Sequence, residues 1–174
     1  MVKTRKELAE LFAQRRYKVG AEIGVADGRN SLMFLETIPD LHLFCIDPWE
    51  PYKLNTRGGG KNQQHGNYEL AQERLLPYGA QLLRGFSTDY VSSIHDGGLD
   101  FVYIDGNHDF DFVMTDLIQW APKVREGGVV SGHDYYHFKK NPAGVVEAVD
   151  AYCGAHGITF SITEERETTF WWTK

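Results

Sequence analysis

Hydrophobic and polar positions along this chain switch repeatedly between two periods. From Thr4 to Arg16, Leu8, Leu11 and Phe12 fall on one helical face, and Thr4 is placed to cap it. Residues 18–28, KVGAEIGVADG, read as a short strand running into a glycine turn, and 30–37 as a helix capped by Asn30 or Ser31. LHLFCID is a compact apolar strand ending at Asp47. Residues 48–66 are polar, glycine-rich and aperiodic, which predicts a long lid-like loop. Then follow a helix over 67–79, a strand over 80–87, a short helix over 88–97 and a strand over 99–106. A helix over 111–124, a strand over 127–135 and a helix over 144–157 complete the alternation. The end changes character: ITFSITEE and TTFWWTK are two strands joined by a polar turn, a hairpin that puts Trp171 and Trp172 on opposite faces.

Strands alternating with helices predict an α/β fold, a mostly parallel sheet with helices on both faces, in one domain spanning 1–174. The hairpin makes one strand antiparallel. In such sheets ligands gather beyond the carboxyl ends of the strands. Asp47, Ser87, Asp105 and Asp134 stand just past successive apolar runs, and Gly24 and Asp27 do so after the first. Asp and Gly also suit turns, which accounts for each residue singly but poorly for the whole set.

Composition narrows the function. A net charge of −6 leaves no basic excess to neutralise phosphates, so nucleic acid is not the expected partner. The charged start, MVKTRKELAELFAQRR, lacks a signal-peptide core, and no apolar run approaches the roughly 20 residues of a membrane span. Cys45 and Cys153 lie outside any CxxC spacing, and a reduced cytoplasmic setting is expected.

The loop EIGVADGRN carries Gly24 and Gly28 as E-x-G-x-x-x-G, which is neither the dinucleotide pattern G-x-G-x-x-G nor a P-loop. RGGGKN at 57–62 follows no strand and reads as lid rather than phosphate cradle. Asp47 stands 23 residues beyond Gly24 (47 − 24), close to the roughly 20 at which an acid meets ribose hydroxyls in nucleotide-binding sheets. A nucleoside whose attached chain is not a phosphate satisfies these facts, and S-adenosyl-L-methionine (SAM) is such a ligand. Its ribose would meet Asp47, its amino-acid end would lie along Glu22–Gly28, and Ser87 would bond the adenine edge.

YIDGNHD contains GNHD, a fragment used by two-metal phosphoesterases. That chemistry also needs an early D-x-H and a GD loop; Asp40-Leu41-His42 precedes its strand, at the wrong rim, and no GD dipeptide exists. Instead Asp105 and Asp134 end adjacent strands, with His108 and His133 beside them. Converging carboxylates repel, and a bound cation such as Mg²⁺ relieves this. His108 is then a candidate general base for an acceptor hydroxyl. The alternative is that Asp105 caps the Gly106 turn and His133-Asp134 closes the rim as a hydrogen-bonded pair.

AEIGVADG, FCIDPW, YIDGNHDFDFVMTDLIQWAPKVREGGVVSGHDY and TTFWWTK together resemble class I SAM-dependent methyltransferases, in the branch of the macrocin and mycinamicin sugar O-methyltransferases. The resemblance implies a Rossmann-like seven-stranded sheet of order 3-2-1-4-5-7-6 with strand 7 antiparallel. It also implies Asp105 and Asp134 as metal ligands and His108 as base. Position 133 departs from the pattern, which prefers a carboxylate there; a His133 ligand suits Mn²⁺ or Fe²⁺ better than Mg²⁺. The expected activity is O-methylation of a small hydroxylated acceptor. A SAM-binding module without turnover keeps the same fold, and a metal-dependent hydrolase is the third reading. A homodimer through the N-terminal helix or the lid is also expected.

Overall fold

Five of the apolar runs pair in parallel: β1 (Val19–Ile23), β2 (His42–Asp47), β3 (Gln81–Arg84), β4 (Leu99–Ile104) and β5 (Val124–Gly132). The computed structural model describes residues 2–51, 61–137 and 144–174, without the side chains of Lys61 and Asn62. β7 (Phe170–Thr173) lies antiparallel between β5 and the two-residue β6 (Ser161–Ile162). The order β3-β2-β1-β4-β5-β7-β6 is the one the resemblance implied.

Side-chain alternation divides the core between two faces. Ala21, Ile23, Val102, Ile104 and Val130 pack with Val113, Leu117 and Trp120 of α5 (Phe110–Trp120) and Val145, Ala148 and Val149 of α6 (Val145–His156). Leu43, Cys45, Phe101, Tyr103 and Val129 pack with α1 (Arg5–Gln14), α2 (Arg29–Thr37) and α3 (Lys61–Leu75). Trp172 joins the first cluster and Trp171 lies against the second, as the alternation predicted. Thr4 caps α1, its Oγ1 accepting the Glu7 N–H at 3.1 Å. Among the described residues no helix is long and apolar enough to cross a membrane.

Three local expectations change. α3 begins at Lys61, so 61–66 is helix rather than lid; its buried positions Gln64, Ala71 and Leu75 share a face, and the polar Gln64 hides that periodicity. The rest of the glycine-rich stretch, residues 52–60, lies outside the described residues. α2 is capped by Gly28, because Asn30 and Ser31 point their side chains at Glu22 instead. Ser87 does not end β3 but opens the four-residue helix α4 (Ser87–Tyr90).

Register decides where the site forms. Ile23 is level with Ile46 and with Ile104, and Ile104 with Gly132. The residues that follow, Gly24, Asp47, Asp105 and His133, therefore emerge along one rim.

Candidate functional site

At that rim the chain after β1 turns sharply. Gly24 has φ +87°, and a Cβ placed there would sit 2.1 Å from the Asp105 carbonyl oxygen. Backbone bonds from Gly24 N–H to Ile46 O (2.8 Å) and from Asp105 N–H to Ile23 O (2.7 Å) join the three strand ends. Asp47 then shapes the loop: its Oδ2 accepts the Val25 and Ala26 N–H groups at 3.0 Å each, and its Oδ1 the Trp49 N–H at 2.7 Å. The buried Trp49 returns its Nε1–H to the Ala26 carbonyl at 2.7 Å. Ala26, in left-handed backbone at φ 47°, is thus held from both sides. Burial raises the Asp47 pKa, and its three N–H donors offset only part of that rise.

Asp27 turns away from the rim. It pairs with Arg29 at 3.0 Å and with Arg74 of α3 at 2.9 Å, and Arg74 also donates to the Asp27 carbonyl at 2.5 Å. Gly28, at φ +82°, fits between this turn and Leu75. Glu22 is 1% exposed, beneath the loop, and accepts from Asn30 Nδ2 at 2.9 Å and from Ser31 Oγ. Burial pushes its pKa up to about 8, although both hydrogen bonds act to lower it.

A cavity of about 300 Å³ opens at the rim, lined among others by Gly24, Asp47, Phe86, Ser87, Asp105, His108 and Phe112. Its charged lining residues are Asp47, Glu50, Asp105 and Asp116; no Lys or Arg is among the described residues that line it. Such a surface attracts a cation and repels phosphate. Apolar Ile23, Ile46, Phe86 and Phe112 offer faces for a flat ring. Within the cavity, Ser87 donates its hydroxyl to Asp116 Oδ1 at 2.5 Å.

β4 and β5 bring the second group of residues together. His108 Nδ1 lies 3.2 Å from Asp134 Oδ2, and His108 Nε2 lies 3.5 Å from Asp105 Oδ1. His133 Nδ1 is 3.2 Å from Asp134 Oδ1 and 3.6 Å from Asp105 Oδ1, while its Nε2 meets the Glu167 carbonyl at 3.1 Å. Asp134 takes left-handed backbone at φ 57°, a strained conformation that aims its carboxylate inward. Burial pushes Asp105 up, but hydrogen bonds from His108 and His133 outweigh it and its pKa is lowered. For His133 burial acts downward, and the bond to Asp105 with the two carboxylate charges raises it overall. Burial leaves Asp134 raised.

The ligand atoms of Asp105, His108 and Asp134 lie within 4.8 Å of one another, a set able to hold a metal ion. His108, expected as a base, is part of this group. His133, expected as a ligand, stands beside it.

A second cavity adjoins the first at Gly24, Ala26 and Asp105 and runs toward α1, past Asn30, Met33 and Arg5. Tyr135, Tyr136 and His137 line neither cavity; Tyr135 instead donates to Asp150 at 2.7 Å. His65 is exposed beside Glu69 at 3.4 Å, and the Tyr68 ring packs on Trp49. Asp109 occupies the N-cap position of α5 without a side-chain capping bond. The residue that sequence reasoning missed is Asp116, whose signal was an acid on the apolar stripe Val113, Leu117, Trp120.

A family model described as a methyltransferase domain matches residues 21–135. No curated protein matches the chain. Among solved structures, the O-methyltransferase TomG from Streptomyces achromogenes, involved in tomaymycin synthesis and solved with SAM, is similar at TM-score 0.67 and 18% identity, over 98% of this chain and 79% of that one. A Staphylococcus aureus protein proposed as a caffeoyl-CoA O-methyltransferase gives 0.70 and 16%, over 100% and 85%. An O-methyltransferase from Bacillus cereus in complex with SAH (S-adenosylhomocysteine) gives 0.67 and 12%, over 98% and 80%.

Proposed function

The chain belongs to the methyltransferase-domain family, and from that premise we propose that it moves the methyl group of SAM onto a hydroxyl of a small acceptor. The observation that carries the proposal is the first cavity: four carboxylic side chains, no Lys or Arg among its described lining, and a histidine at its edge. A sulfonium nucleoside matches that charge, whereas a phosphate-bearing one does not. The SAM and SAH complexes of similarly folded O-methyltransferases support the choice. Residues 1–174 act as one catalytic domain, with the ribose at Asp47 and the amino-acid end along Glu22–Gly28. The amino-acid end reaches into the second cavity, which Glu22, Gly24 and Ala26 line, and the acceptor approaches the first at Asp105 and His108. Hydroxylated sugars and polyketide glycosides are the proposed acceptor class, on the resemblance to macrocin-type enzymes.

Bound SAM supplies an electrophilic methyl on cationic sulfur, which departs as a neutral thioether. The chain supplies alignment and a base. In the acceptor complex Asp134 Oδ2, 3.2 Å from His108 Nδ1, holds the proton on that nitrogen, and Nε2 exchanges its contact with Asp105 for the acceptor hydroxyl. Nε2 takes the hydroxyl proton as the oxygen bonds to the methyl carbon and the carbon–sulfur bond breaks. Asp105, 3.5 Å from Nε2, and Asp134 then stabilise the imidazolium.

A second reading is favoured by the clustering of Asp105, His108 and Asp134. They would hold a divalent cation, with His133 alongside; carboxylate oxygen mixed with imidazole nitrogen suits Mn²⁺ or Fe²⁺ as well as Mg²⁺. Such an ion supplies Lewis acidity that lowers the pKa of the acceptor hydroxyl.

The test is methyl transfer from radiolabelled SAM to a panel of hydroxylated sugars, phenols and glycosides, before and after exhaustive chelation. Turnover that survives chelation rules out the ion and keeps the reading in which His108 is the base; turnover lost and restored by Mn²⁺ or Mg²⁺ supports the ion. SAM binding without transfer to any acceptor would contradict the enzymatic role and leave a binding module.

A further inference from the structure

Neither the glycine loop nor the Asp105 cluster uses Asp116. It lies on the stripe by which α5 enters the core, between Val113 and Trp120, and is 5% exposed. An ionisable side chain in that place is costly unless something polar meets it. Among the described residues its hydrogen-bond donor is Ser87, at Oδ1, which leaves most of the acceptor capacity of the carboxyl unused. Oδ2 is turned toward Gly106: it is the nearest heavy atom, at 3.6 Å, to a Cβ placed on that glycine. Asp116, Ser87 and Gly106 all line the first cavity. Burial pushes the Asp116 pKa up to about 6, the Ser87 bond opposing it, so the group is ionised at pH 8.

Position within the cavity gives this acceptor its task. Asp47, Phe86, Ser87, Phe112 and Asp116 line the same cavity, so a nucleoside whose ribose sits at Asp47 carries its base within reach of the Ser87–Asp116 pair. We infer that Asp116 is the specificity-determining residue for the nucleobase: Ser87 holds one carboxyl oxygen, and the other accepts an N–H from the 6-amino group of adenine. A 6-oxo purine would present an acceptor to an acceptor there and be rejected. The inference rests on the proposed SAM site and deepens it.

The test is calorimetric titration at pH 8 of SAH and of its 6-oxo analogue, S-inosylhomocysteine, into the wild type, D116L and D116N. The wild type should prefer SAH by about tenfold or more, the scale set by a buried polar group left unpaired. Asp116→Leu should lower SAH affinity and bring the two ligands to within about twofold of each other. Asp116→Asn keeps the shape and a partner for Ser87 if the Leu variant fails to fold, and its amide can donate to a 6-oxo group. It should shrink the preference by about fivefold or more. A merely structural role for Asp116 would weaken both ligands alike and leave the ratio standing. Equal affinities in the wild type, or a preference retained by both variants, would overturn the inference while leaving the cofactor site intact. A wild type that binds neither ligand would overturn both.

Discussion

Glu22 makes a prediction whose size follows from its burial. In the folded protein its pKa is pushed up to about 8 from an ordinary 4.5. The unfolded chain therefore loses this proton well before the folded one does. Folding stability contributed by the protonated group is complete below about pH 4.5 and drains away as pH rises toward 8. Between pH 5 and pH 7.5 that loss amounts to about 3 kcal/mol. Asp105 and Asp47 add to it by repelling a charge on Glu22. Glu22→Gln removes the titration and keeps the shape: its carbonyl still accepts from Asn30, and its amide N–H meets the Ser31 oxygen, reversing the bond that Ser31 donates to Glu22. Urea denaturation of the ligand-free wild type and variant at both pH values measures the difference directly. The variant should gain about 3 kcal/mol on the wild type from pH 5 to pH 7.5, all other titrations cancelling in the comparison. A stability difference that does not change with pH would mean that Glu22 is ionised in its pocket and would refute the reasoning.

Other perturbations test other parts of the rim. Gly24→Ala forces a side chain into φ +87° against the Asp105 carbonyl, and urea denaturation should show a loss of about 3 kcal/mol or more. Asp47→Asn replaces one of the oxygens that gather three N–H groups with a donor; calorimetry should find SAH affinity reduced about tenfold or more, with stability lower by about 2 kcal/mol. His108→Gln should lower kcat about 100-fold or more while SAH affinity stays within about twofold, and equal losses in both would remove the base role.

The fold was largely legible because its signals are local. Compact apolar runs separated by helical stripes give a parallel sheet, and the late change of period gives the hairpin that inserts β7. The start of α3 was not legible, since Gln64 fills a buried helical position where an apolar residue would have kept the rhythm. Gly24, Asp47 and Asp105 were legible as a rim, because register makes strand ends level and the residues after them neighbours. Their partners were less so. The three loop N–H groups on Asp47, the turn of Asn30 and Ser31 toward Glu22, and the Ser87–Asp116 pair all join elements distant in sequence. His108 lying between two carboxylates depends on the left-handed backbone at Asp134, which nothing in GHDY announces.

The central claim is that a sulfonium nucleoside lies across the carboxyl ends of β1, β2 and β4. A crystal structure of the full chain grown with SAH tests it most directly. The account predicts ribose hydroxyls at Asp47, the purine beside Phe86 and Phe112, and the sulfur facing Asp105 and His108. Ligand bound elsewhere, or a rim cavity filled by the protein's own side chains at saturating SAH, would contradict it.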